Sequence, residues 1–245
     1  MIGLPDQIAG VLFDLDGVLT GTAVLHRAAW RKTFDDFLRR RLGPQFSPFT
    51  DRDYAEYVDG RSRADGVRSF LASRGIVLPD GRPDDLPAAD TVYGVGNRKN
   101  DLVQQIIAEH GVDPYPGSVR FLQAARDAGL KIGVVTSSAN GAAVLDAAGL
   151  SPLVQARIDG LVIAEQGLRG KPAPDSFLAG ARALGIPPER IAVVEDALAG
   201  VQAGRAGGFG YVVGVDRAGQ ADALRAHGAD VVVTDLAELL KEPPT

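Results

Sequence analysis

Two aspartates one residue apart, Asp14 and Asp16, follow the apolar run Val11-Leu12-Phe13 and precede a glycine in the segment VLFDLDGVLT. Side chains two apart on an extended strand face the same way. The two carboxylates should therefore converge just past the strand's carboxyl end, while Leu15 turns aside. Like charges held that close need either a proton on one of them or a cation between them. The chain has no cysteine, so with oxygen donors alone the expected cation is Mg²⁺. The same residues also suit an Asx turn closed by a glycine, an ordinary strand ending, and these positions alone leave both readings open.

Three later segments add groups of complementary chemistry. GVVTSSAN ends an apolar run in the hydroxyls of Thr136, Ser137 and Ser138, which with free backbone N–H groups would suit a phosphate or would cap a helix. IAVVEDALAG ends in a second acidic pair, Glu195-Asp196, which could equally be a cap favoured by the helix dipole. GKPAPDSF sets Lys171 before two prolines that restrict the loop; a lone loop lysine is otherwise solvent-exposed. Each signal is weak alone. Together they supply what phosphoryl transfer requires: metal-binding carboxylates, positive charge and donors for the phosphoryl oxygens, and a nucleophile in line.

The elements that must position these groups follow from periodicity. AVLHRAAWRKTFDDFLRRRL carries Leu25, Ala29, Trp30, Phe34, Phe37 and Leu38 at spacings of three and four, a helix whose basic end, Arg39-Arg40-Arg41, complements the dipole. RADGVRSFLASRG is a second helix, ending at Gly75, and VLPDGRPDDLPAAD a Pro/Gly/Asp-rich connection. NRKNDLVQQIIAEHG reads as a third helix, capped by Asn97 and stopped at Gly111. From about Val112 short β-rich runs (LKIGVVTSS, RIAVVED, YVVGV, DVVVT) alternate with helical stretches (GAAVLDAAGL, PDSFLAGARALG, ALAGVQAGRAGG, ADALRAHG and a last helix). That alternation predicts an α/β fold with a doubly wound, mostly parallel sheet. A helical segment then sits inserted after the first strand.

The chain has 245 residues, 45% hydrophobic and 23% charged, enough for one or two cored domains. A net charge of −5 with no side of the chain strongly basic disfavours nucleic-acid binding. Three scattered histidines do not suggest a His-built zinc site. MIGLPDQIAG lacks a basic, then apolar, leader pattern, and no run approaches the ~18 apolar residues of a membrane span. A cytoplasmic protein without a membrane partner is expected, and a monomer.

Taken in order, FDLDGVLT, Thr136, Lys171 and the ED pair at 195–196 resemble the four motifs of the haloacid dehalogenase superfamily. HRAAW, YPG, KPAPDSF and EDALAGVQAGRAGG extend the likeness over nearly the whole chain, toward the β-phosphoglucomutase-like subfamily with a helical cap. The resemblance implies a Rossmann-like core, 1–20 with 113–245, and an inserted α-helical cap, 21–112. It implies that Asp14 attacks phosphorus and becomes an aspartyl-phosphate, and that Asp16 is the acid, then the base, for the exchanging oxygens. Mg²⁺ would be held by Asp14, the backbone carbonyl of Asp16, Asp196 and Glu195. Lys171 would offset charge on the nucleophile and phosphoryl group, Thr136 would donate to a phosphoryl oxygen, and Ser137, Ser138 and Asn140 would join substrate binding.

In the cap, the likeness makes Arg63 the grip on the non-reacting phosphate of a small phosphorylated sugar, with Thr22, His26, Trp30, Gly60 and Lys99 around the acid and the sugar. His26 and Trp30, four apart on one helix, could instead be packing, and Lys99 a solvated first-turn residue. The implied reaction is β-glucose 1-phosphate to glucose 6-phosphate through a bisphosphate; the alternative is a phosphatase of small sugar phosphates. Three positions depart from the mutase pattern: Gly21 for an aspartate, Asp59 for a lysine and Ala139 for a lysine that helps hold phosphate. Arg61 is expected to replace the charge lost at Ala139.

Two other readings fail on order. GRAGGFG, 204–210, has glycines spaced somewhat like a dinucleotide fingerprint but follows a helix and precedes a strand. A phosphorylated signalling receiver shares the acidic pair, Thr and Lys, but carries no inserted helical cap.

Overall fold

Six short apolar runs form strands: β1 (Gly10–Phe13), β2 (Lys131–Val135), β3 (Ala156–Ile158), β4 (Ile191–Glu195), β5 (Tyr211–Val215) and β6 (Val231–Val233). All pair in parallel, in the order β3-β2-β1-β4-β5-β6. Every residue of β1 and β4 is buried, as strands covered by helices on both faces must be. After β1 the sheet grows outward through β2 and β3, then returns to the other side of β1 with β4. That reversal places a crevice at the carboxyl ends of β1 and β4, where open α/β sheets bind ligands. Register brings the ends level, since Phe13 pairs with both Val134 and Val194.

This computed structural model describes residues 2–240 and divides into two compact units, one reaching Gly21 and resuming at Val112, the other Thr22–Gly111. The helical unit contains α1 (Thr22–Leu42), α2 (Asp51–Asp53) running into a π turn at Tyr54–Val58, α3 (Arg63–Ser73) and α4 (Val92–His110). The sheet unit contains α5 (Pro116–Asp127), α6 (Gly141–Ala147), α7 (Gly160–Glu165), α8 (Asp175–Leu184), α9 (Leu198–Ala206) and α10 (Ala221–Ala226). Among the described residues no helix is long and apolar enough to cross a membrane.

Each unit has its own core. In the sheet unit Leu12, Val135, Phe177, Leu184, Ile191, Val193 and Phe209 pack together. In the helical unit the predicted stripe of α1 is buried at Ala29, Trp30, Phe34, Phe37 and Leu38. Its ring system stacks Trp30 on Phe34 at 4.9 Å and sets Phe34 4.3 Å from Phe70.

Several elements differ from the periodicity reading. α4 begins at Val92, not beside Asn97: Thr91 is its cap and accepts from the Gly94 N–H at 3.0 Å. Gly94 and Gly96, which make the first turn look unlike a helix, are there because a Cβ at either would crowd Ala89 or the stem of Arg63. Asn97 instead donates to the Pro83 and Asp85 carbonyls, tying down the connection before α4. α2, α5, α7 and β3 have no counterpart in the periodicity reading; α2, α7 and β3 have six residues or fewer, too short for a period to register. The last helix is a single 3-10 turn, Leu236–Leu239.

One buried acid steadies the helical unit. Asp53 accepts from the Thr50 N–H and hydroxyl at 2.9 and 2.7 Å and from Arg74 at 2.8 Å. Burial would raise its pKa, but the Thr50 hydrogen bonds and the Arg74 charge outweigh it and hold it below the ordinary value. A depressed folded pKa means stabilisation that is complete above the unfolded value of about 3.9 and lost as pH falls through the folded one. Asp53→Asn should therefore cost about 1–2 kcal/mol at pH 7 and flatten the acid limb of a urea-denaturation series. A variant as stable as the parent at pH 7, with an unchanged acid limb, would contradict this.

Candidate active site

Asp14 is the first residue past β1 and continues the ladder, its N–H donating to the Val194 carbonyl at 2.9 Å. The chain then turns back on itself: Gly17 adopts φ +94° and its N–H donates to the Thr20 carbonyl. Any other residue is strained at that φ, and a Cβ there would overlap Asp196 Oδ2. Gly17 thus lets the carboxylate from the end of β4 approach the loop after β1. Gly200 on α9 plays the matching part for Glu195, whose carboxylate a Cβ would overlap.

Lys171 joins the two acidic loops. Its Nζ donates to Asp14 Oδ1 at 2.6 Å, to Glu195 Oε1 at 2.5 Å and to the Val135 carbonyl at 3.2 Å, using all three ammonium protons. The side chain is fully buried, with Nζ 4.8 Å from the centre of the Phe177 ring, so the solvent-exposed reading of this lysine is excluded. Burial alone would lower its pKa, yet the charges of Asp14 and Glu195 raise it above the ordinary lysine value, and the ammonium keeps its proton. Glu195 is anchored on its other oxygen by the Ala197 N–H at 2.9 Å.

The carboxylates of Asp14, Glu195 and Asp196 each bring an oxygen within 4.8 Å of the others. When ionised they outnumber the Lys171 charge by two. Burial drives the Asp14 carboxyl well above its ordinary range; Lys171 opposes this, and the charges of Glu195 and Asp16 push it further up. A hard divalent cation would answer that imbalance, and the buried all-oxygen donor set fits one. The Asp16 carboxylate lies outside the trio. It meets the Thr136 hydroxyl, which donates to Oδ2 at 3.3 Å.

Thr136 follows β2 and also accepts from the Ser138 N–H at 3.1 Å, while Ser138 accepts from the Asn140 N–H at 3.2 Å. The hydroxyls therefore line the loop before α6, which begins only at Gly141. Asp14, Asp16, Thr136, Lys171, Glu195 and Asp196 form one cluster, with Ser137, Ser138 and Asn140 on the adjoining loop. In the helical unit, buried Lys99 places Nζ 2.8 Å from His26 Nδ1 and 5.1 Å from the centre of the Trp30 ring. This removes the solvated reading of Lys99. Arg63 opens α3 with its stem against Gly96, Gly60 turns the chain just before it at φ +71°, and Thr22 is the buried first residue of α1.

Sequence reasoning missed Arg217 and Gln220, which hold the Gly17 and Asp196 carbonyls from the loop after β5. No local pattern marks them. The close-packing roles of Gly17 and Gly200 were also unread, although a glycine directly after two acids and a small-residue run after ED were both visible.

Carboxylates at a sheet switch point, tied by a buried lysine and flanked by a threonine, define a phosphoryl-transfer core of Rossmann-like architecture. Residues 8–208 match the family model described as haloacid dehalogenase-like hydrolase, and the chain belongs to that family. It is 55% identical to a β-phosphoglucomutase of Mycobacterium tuberculosis over 98% of this chain and 94% of the relative. A β-phosphoglucomutase of Bacillus subtilis is 32% identical over 95% and 92%. The crystal structure of a β-phosphoglucomutase from Clostridium difficile superposes with TM-score 0.74 at 26% identity, over 95% of this chain and 93% of that one.

If the acidic cluster holds a divalent metal, Gly17→Ala should weaken its binding by roughly 10–100-fold, the usual effect of disturbing what orients a metal ligand, read by titration calorimetry of folded protein with Mg²⁺ as the probe. Affinity within twofold of the parent would show that Asp196 does not need the space.

Proposed function

We propose that this enzyme converts β-glucose 1-phosphate to glucose 6-phosphate through glucose 1,6-bisphosphate, with Asp14 carrying the phosphoryl group between turnovers. The observation that carries the reading is the 55% identity to a β-phosphoglucomutase along nearly the full length of both chains. The tie of Asp14 to Lys171 supports the chemistry independently.

Mg²⁺, held by Asp14, Glu195, Asp196 and the Asp16 carbonyl, would neutralise charge on the transferring phosphoryl oxygens and keep Asp14 ionised. Lys171 fixes the attacking carboxylate and adds positive charge beside it, while the Thr136 hydroxyl donates to a phosphoryl oxygen. Asp16 takes the proton from the sugar 6-hydroxyl as that oxygen attacks the aspartyl-phosphate, which gives the bisphosphate. In the second half the Asp14 carboxylate attacks the phosphorus on C1. Asp16 returns the proton to the departing C1 oxygen, and glucose 6-phosphate leaves. No proton is lost over the cycle and Asp14 ends phosphorylated.

Ser137, Ser138 and Asn140 belong to the phosphate contacts in this reading. Arg63, Thr22, Gly60 and the His26–Trp30–Lys99 group supply the sugar-phosphate contacts of the helical unit. A cytoplasmic monomer without nucleic-acid or membrane partners completes the proposal, and the acidic net charge is what disfavours nucleic acid.

Supplied with β-glucose 1-phosphate, Mg²⁺ and a trace of glucose 1,6-bisphosphate, the enzyme should form glucose 6-phosphate with little free phosphate, and activity should disappear on chelation. Asp14→Asn should lower turnover by more than about 10³-fold with an unchanged circular-dichroism spectrum. Stoichiometric phosphate release without isomerisation would make the protein a sugar phosphatase instead. Substantial turnover in the Asn variant would remove Asp14 as nucleophile.

A further inference from the structure

The loop between β5 and α10 contributes no group to the carboxylate cluster, yet it grips the backbone of both acidic loops from behind. It is itself rigidly built. Asp216 Oδ1 accepts from the N–H groups of Ala218 and Gln220 at 3.1 and 2.8 Å, and Oδ2 accepts from Ala221 at 3.2 Å. The Asp216 N–H donates to Val233 of the neighbouring strand. From that frame two side chains reach inward. Arg217 Nε donates to the Gly17 carbonyl at 2.9 Å and Nη1 to the Thr234 carbonyl at 2.8 Å, while its guanidinium lies 3.8 Å from the centre of the Tyr115 ring. Gln220 Nε2 donates to the Asp196 carbonyl at 3.0 Å.

The targets matter more than the count. Gly17 is the φ +94° residue directly after Asp16, and its position sets both the direction of the Asp16 peptide and the room left for Asp196. A peptide beside a glycine is the one most free to rotate. Tyr115, under the Arg217 guanidinium, is held by its own N–H to the Leu19 carbonyl at the far end of the same turn. Arg217 therefore fastens the turn through a carbonyl at one end and a ring tied to the other. Lysine could not reproduce this, because the two carbonyls and the ring face are met by a planar, two-pronged donor.

We infer that the β5–α10 loop is a brace for the site, with Arg217 the positioning residue for the Asp16–Gly17 turn and Gln220 that for the Asp196 backbone. The inference rests on the reading that these loops carry phosphoryl transfer. Neither residue touches the reacting atoms; each acts through a carbonyl it holds.

Three full-length variants test it: Arg217→Met, Arg217→Lys and Gln220→Met. In the metal-free protein, hydrogen exchange over residues 15–20 should be at least about 10-fold faster in Arg217→Met, with α8 unchanged. On saturating Mg²⁺, kcat for the folded variant should fall about 10–100-fold, with KM for β-glucose 1-phosphate within about twofold; Arg217→Lys should recover only part of kcat. Gln220→Met should raise the Mg²⁺ concentration for half-maximal rate about 10-fold, and decides the matter if Arg217→Met does not fold. Faster exchange with unchanged kcat would reduce Arg217 to a structural part and overturn the inference, as would an unchanged Mg²⁺ requirement in Gln220→Met. Should the parent not isomerise the sugar, the same kcat criterion applies to Mg²⁺-dependent hydrolysis of p-nitrophenyl phosphate. A failed mutase reading is thereby separated from a failed brace.

Discussion

One buried ammonium holds the site together. Lys171 gives its three protons to Asp14, Glu195 and a β2 carbonyl, joining two strand ends that would otherwise repel. Burying a charge in an apolar surround is costly unless it is paired and hydrogen-bonded, and Lys171 meets both conditions with no donor left over. The arrangement is also asymmetric by design of charge. One cation among three carboxylates compensates the acids only in part, and Asp14 is left with a pKa well above its ordinary range because burial favours its protonated form. A protonated carboxylate is a poor nucleophile. On the proposed reading a divalent ion would supply the remaining compensation and keep Asp14 ionised for attack.

Everything around the ammonium serves that geometry. The strand order sets β4 directly beside β1, so acids far apart in the chain emerge side by side. Gly17 and Gly200 remove the two Cβ atoms that would collide with Asp196 and Glu195. Below the acids, Leu12, Val135 and Phe177 form a dry floor that excludes solvent and strengthens each ion pair. Leu198–Ala206 can lie against the Glu195 carboxylate because residue 200 has no Cβ. The brace from the loop after β5 adds backbone control where side-chain packing cannot reach.

The sequence was most legible where chemistry and periodicity coincide. Asp14, Thr136, Lys171, Glu195 and Asp196 each stand at or near the end of an apolar run or beside prolines, and the alternation of runs predicted a parallel sheet. The observed sheet is all parallel. Legibility failed where an element is too short for a period or where a polar residue serves a distant partner. Asn97 looks like a cap because it follows YGVG, but its side chain bonds a loop more than ten residues earlier. Arg217 and Gln220 act on carbonyls 200 and 24 residues away, contacts that only tertiary structure creates. Lys99 shows the opposite: a charged helical residue that reads as surface is buried between His26 and Trp30.

The central claim is that Asp14 and its neighbouring acids gather round one divalent ion beside Lys171, leaving Asp14 to receive a phosphoryl group. A crystal structure of the protein grown with Mg²⁺ and beryllium fluoride, a phosphoryl mimic that bonds acceptor carboxylates, tests it most directly. The account predicts a trifluoroberyllate on an Asp14 oxygen, Mg²⁺ at about 2.1 Å from oxygens of Asp14 and Asp196, and Lys171 still within hydrogen-bond reach of Asp14. Beryllium on another residue, or the metal bound away from these acids, would contradict it.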